Sequence, residues 1–220
     1  RILPEILFSV RCATLAHIVP RDLDQQRTSD PALSVTLAPL VSDASGDAIK
    51  AALDRVAAPL AAPRLRLRHV QISATMPGLR PRDLDRAARR DLLASLRRRE
   101  LALSGLDAWI PLAHFSDPTH ADRATQATCE IIELAADLAR VPVSMILPDD
   151  AAIAQALIDR AQHVGVEVAD HALEPAKIEG AGVGIDPAAY LAQVKDPVTA
   201  VHAAGAANRL TAARLMIELA

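Results

Sequence analysis

A chain of 220 residues, 51% hydrophobic and 23% charged, can bury one sizeable core as a single domain. Its net charge of −3 and its 2% aromatic content supply neither a basic field nor stacking platforms, which argues against nucleic acid or an anionic membrane as a partner. No run reaches the ~18 apolar residues of a membrane span, and Cys12 and Cys129 lie too far apart for a Cys-x-x-Cys motif, so a reducing cytoplasm is the expected compartment.

In chain order, the first third is the least regular. Ile2–Ala16 reads as a helix, or as a strand followed by a helix, and 20–31 reads as a polar loop. Ser34–Val41 alternates as a strand does, and Ser45-Gly46-Asp47 opens a helix running to about Leu60. Arg68–Met76 has β-branched alternation and ends at the turn signal Pro77-Gly78. Arg82–Glu100 reads as a long helix with Leu84, Ala88, Leu92, Leu93 and Leu96 on one face. Its other face is rich in arginine, from Arg86 to Arg99, which is the usual composition of a solvated face. Strands at 103–111 and 142–148 flank a helix over Ala121–Leu138, in which Cys129 is expected to pack as a small hydrophobe. Asp149-Asp150 caps a helix over Ala151–Val164. Val166–Ala172 and Gly182–Asp186 read as strands with polar ends. A helix over Asp196–Ala203 follows, and Asn208–Leu215 is either a last strand or a terminal helix.

Strands alternating with helices imply βα units and a parallel sheet. The expected fold is therefore α/β, a TIM-barrel-like (β/α) repeat in one domain over 1–220, with 1–33 as an irregular N-terminal segment. About seven strands can be counted, so the barrel is expected to be incomplete or open at one side. Its exposed edges would then be covered by the N-terminal segment, by a partner subunit such as a second copy in a homodimer, or by further sequence.

In such folds the chemistry sits at the C-terminal ends of the strands. The polar groups placed there are His114 with Asp117, Asp170 with His171, and Asp186. Brought to one mouth, they would suit a divalent metal such as Mn²⁺, Mg²⁺ or Zn²⁺. Each also has a plainer reading. His114–His120 can be a polar turn that caps a helix, and Asp170-His171 a surface turn. Asp186-Pro187 can be a helix entry with Asp as the N-cap.

Taken in order, Trp109-Ile-Pro-Leu-Ala-His114, Gly165-Val-Glu-Val-Ala-Asp-His171, Val183-Gly-Ile-Asp186 and Asp196-Pro197 resemble the sugar phosphate isomerase/epimerase superfamily, the xylose-isomerase-like TIM barrels. The resemblance covers His69–Ala206. It implies a protein acting on a small sugar, sugar phosphate or sugar acid by metal-assisted proton transfer next to a carbonyl. Asp170 and Asp186 would hold the metal. Asp170 and His114 would serve catalysis, and His114, His171 and Trp109 would contact substrate. The family's metal ligands are Glu, Asp, His and Glu on four successive late strands. Here Asp170 stands for the first Glu, Ala189 replaces a further His, and neither the ligating His nor the final Glu has a counterpart. The alternative is a degenerate, non-catalytic barrel that binds a ligand or a protein.

Overall fold

The computed structural model describes residues 6–11, 32–41, 43, 45–58, 68–174, 178–186, 192–193, 199 and 210–217. Eight strands form a closed ring in chain order: β1 (Ile6–Arg11), β2 (Ala32–Thr36), β3 (His69–Ser73), β4 (Ala102–Asp107), β5 (Val143–Met145), β6 (Val168–Asp170), β7 (Gly182–Ile185) and β8 (Leu210–Ile217). Every pairing from β2 to β8 is parallel. β1 is antiparallel to both of its neighbours, with Phe8 opposite Val35 on one side and Leu215 on the other. The parallel (β/α) part thus has seven strands and a gap, as the pattern predicts, and the N-terminal strand fills the gap. Within the two ambiguous stretches, the described residues Ile6–Arg11 and Leu210–Ile217 are strands. The predicted helices at 187 and 196–203 fall largely outside the described residues.

The helices are α1 (Gly46–Ala57), α2 (Arg86–Arg98), α3 (Leu112–Ser116), α4 (Ala121–Leu138) and α5 (Ala151–Val164). Side-chain caps set three of their starts. Ser45 accepts from the Ala48 N–H, Asp85 from Ala88, and Asp150 from Ala152 and Ile153. The Asp85 cap explains why α2 begins later than its hydrophobic pattern suggests, with 81–83 in a 3₁₀ turn instead. The buried stripe of α4 repeats at helical spacing through Ala124, Thr128, Ile131, Ala135 and Leu138. Cys129 packs half-buried against the same core, and burial pushes its thiol pKa up. The arginine face of α2 is largely exposed, but Arg99 reaches Asp54 on α1 at 2.6 Å and Arg89 pairs with Asp137 on α4. The Arg99 hydrogen bond lowers the Asp54 carboxyl pKa.

Between β3 and β4 the register slips by one residue. Val70 faces Leu103 and Gln71 faces Gly105, so Ser104 is an extra residue in a β-bulge. Its hydroxyl donates to the Val70 carbonyl at 3.0 Å and lies 2.6 Å from that of Ser34. Gly105 lets the β5 backbone come close, because a Cβ there would lie 3.2 Å from the Pro142 carbonyl oxygen.

Candidate functional site

β3 and β4 end side by side, and the segments that leave them bound a cleft of about 610 Å³. Ala74 and Thr75 come directly after β3, and Trp109, Ile110 and Pro111 directly after β4. Arg80 and Arg82, on either side of Pro81, form a second wall. The first half of α4 forms the third, with His120, Arg123 and Glu130 set among small alanines. His114 projects into the same cleft from α3. Small residues on α4 let the helix approach the strand ends while its long side chains line the opening.

Local hydrogen bonds shape the α3–α4 turn. Asp117 Oδ1 accepts the Thr119 N–H at 2.8 Å, and its Oδ2 lies 2.7 Å from Nδ1 of His120. These contacts, the Thr119 N–H foremost, hold the Asp117 carboxyl below its usual pKa. The rings of His114 and His120 stack with centroids 5.4 Å apart and planes at 23°. The segment is the expected polar turn, but it does not cap a helix: α4 has His120 at its N-cap position with no side-chain cap, and Asp117 bonds within the turn instead. Asp117 organises the turn, and His114 faces the opening.

The ends of β6 and β7 are built differently. Asp170 is buried, 1% exposed, and its Oδ1 accepts the N–H groups of Leu147 at 3.2 Å and Ala172 at 3.1 Å. It ties the end of β6 to the segment leaving β5. His171 is 3% exposed, and its ring meets Trp109 edge-on, with centroids 5.6 Å apart and planes at 72°. Gly184 on β7 makes that placement possible, since a Cβ there would lie 2.2 Å from Cδ2 of the ring. Asp186 is half-buried just past the end of β7. Trp109 is thus shared, one side on the cleft and the other on buried His171.

A further polar group was not singled out by the sequence pattern. Asp107, the last residue of β4, is 1% exposed, and its Oδ1 accepts from Nε2 of Gln71 at 2.6 Å. The same amide lies 3.3 Å from the Ser144 hydroxyl. The available signal was the polar spacing of Gln71 and Ser73 along β3, which puts polar residues on one face of a strand whose other positions are apolar.

A divalent metal fits these residues poorly. Among the described residues no group of three or more His, Cys, Asp or Glu is placed to hold one. The Asp170 carboxylate is turned to backbone N–H groups, and His114 lies across Trp109 from His171. Among the described residues no helix is long and apolar enough to cross a membrane.

Known structures share this architecture. An L-ribulose 3-epimerase is similar at a TM-score of 0.61 and 14% identity, over 80% of this chain and 67% of that protein. A xylose isomerase domain protein from Planctomyces limnophilus gives 0.53 and 13%, over 67% and 64%. A D-tagatose 3-epimerase-like protein gives 0.54 and 12%, over 77% and 69%. No family model and no curated protein matches the chain in sequence. The fold is that of the xylose-isomerase-like TIM barrels. The chain spans 64% of the length of the Planctomyces protein.

Proposed function

We propose that the chain is a sugar isomerase/epimerase-like barrel that binds a small sugar in the cleft at the ends of β3 and β4, as a ligand-binding module. The observation that carries this reading is the position of Trp109. Its indole lines an open cleft and is backed by a buried histidine, so an apolar wall stands firmly beside the polar groups of the opening. Trp109 and His114 contact the ligand. His171 holds the indole in place, Asp170 fixes the two strand ends behind it, and Asp186 lies at the rim of β7. The fold of the structural neighbours supports a sugar as the ligand class.

Trp109 is the only tryptophan of the chain, so its fluorescence reports on this cleft alone. Titration with aldo- and ketopentoses should shift its emission in a saturable way, and the His114→Ala variant should weaken that response. A flat response to every sugar would remove the reading. Calorimetric titration of chelator-stripped protein with Mn²⁺ tests the catalytic alternative. Stoichiometric binding that is lost in an Asp170→Ala/Asp186→Ala double variant would replace the module with a metal enzyme.

A further inference from the structure

We propose that the barrel encloses ordered water, held between β2 and β3 by the Thr36 hydroxyl and the side-chain carbonyl of Gln71. This site is separate from the cleft and does not depend on what the cleft binds. The two faces of the sheet differ in kind. Ile72, Leu106, Val143 and Val168 stand side by side on one face by register. They pack in one core with the buried leucines of the helices. On the other face Thr36 is beside Gln71, Gln71 beside Gly105, Asp107 beside Ser144, and Ser144 beside Ala169. In a closed barrel that face lines the interior. Bulky branched side chains usually fill it. Here it is small and polar, which provides both room and hydrogen-bonding groups for water.

Most of these groups satisfy one another. Nε2 of Gln71 lies 2.6 Å from Asp107 Oδ1 and 3.3 Å from the Ser144 hydroxyl, and the Ser34 hydroxyl meets that of Ser104. Thr36 Oγ1 and Gln71 Oε1 have no hydrogen-bond partner among the described residues, although the two residues are only 5% and 2% exposed. Turning the amide round would not help, because the Asp107 oxygen needs the N–H that now faces it. Oε1 only accepts, so its partner must be a donor, while the Thr36 hydroxyl takes either role. A buried polar atom left unpaired is costly. Water both donates and accepts, and it serves both atoms as one molecule or as two in series. Ser73 follows Gln71 on the same face, and its hydroxyl lies 3.0 Å from that of Thr75, which lines the cleft. The polar face of β3 thus continues to the cleft.

Magnetic relaxation dispersion of the water signal detects internal waters by their long residence. Comparison of the native protein with Thr36→Val, which keeps the side-chain shape and removes the hydroxyl, isolates the proposed site. The dispersion amplitude should fall in Thr36→Val and the urea midpoint should fall with it, because the water loses an anchor and Gln71 its donor. Thr36→Ser should keep most of both. An unchanged amplitude in Thr36→Val would overturn the proposal. A raised midpoint would then mean that the hydroxyl had been buried unpaired, and a lowered one that it bonds Gln71 directly. Absence of any long-lived water from the native protein would overturn the proposal outright.

Discussion

The ends of β4 and β6 carry similar residues, yet His114 after β4 is exposed while Asp170 and His171 at the end of β6 are buried. His114 is exposed on a short helix beside arginines. His171 is sealed beneath Trp109 and against a glycine. Asp117 organises an exposed turn, whereas Asp170 ties two strand ends together out of solvent. A strand-end position thus brings a polar residue near the mouth of a barrel, and its access to water decides whether it meets a ligand or serves the scaffold.

Substitutions on the two sides separate these roles. The largest effect is expected from Gly184→Ala. A methyl group there cannot coexist with the His171 ring, and overpacking of this kind costs about 1–3 kcal/mol, readable as a lower urea midpoint. Because the ring backs Trp109, the tryptophan emission of the folded variant should also change. Asp170→Ala leaves the buried Leu147 N–H and the part-buried Ala172 N–H without their acceptor and should cost about 1–3 kcal/mol. Asp170→Asn keeps an acceptor oxygen and should cost less, and an equal loss from both would mean that charge, not acceptance, is what the site uses.

Smaller effects belong to exposed positions. α2, α4 and α5 each end next to a residue in the left-handed region, with Glu100 at φ 55°, Arg140 at φ 51° and Gly165 at φ 71°. Only the third is the glycine this geometry prefers. Arg140→Gly should therefore stabilise the protein by about 0.5–1 kcal/mol, measured as a higher urea midpoint. His114→Ala should change stability by less than about 0.5 kcal/mol and still weaken sugar binding, the reverse of the Asp170 pattern. The Asp117 turn has a pH dependence of known sign. The folded pKa lies below the unfolded value, so the contribution of the turn is complete above the ordinary carboxylate range and is lost as pH falls through the folded pKa. NMR titration should show Asp117 protonating at lower pH than an unstructured aspartate.

The legibility of the sequence divides along the same line. α4 and α5 have the bounds their patterns predict, because their apolar spacing is regular and Asp150 marks a start. β4 stops at Asp107 instead of Pro111, since the chain turns there into α3. β5 is shorter than 142–148, with prolines at both limits of that run. The direction of β1 was not legible, because its partner β8 is some two hundred residues away and no local pattern encodes that pairing. At the cleft, His114 was legible from its place after a strand, and Trp109 only through the resemblance, since the expected strand 103–111 contained it. Arg123 was hidden in a helix face, and Arg82 was absorbed into the arginine pattern of α2 although it lies before the Asp85 cap. Asp107 and Gln71 were hidden because each completes the other from a different strand.

The antiparallel seam also sets an order of events during synthesis. Val10 pairs with Ala213, so the first strand made must wait for nearly the whole chain before it finds one of its two neighbours. The βα units from β3 to β6 form through nearer contacts and can assemble while the chain is still emerging. The barrel closes like a clasp fastened last, and until then β1 and β8 present unpaired backbone to whatever is nearby.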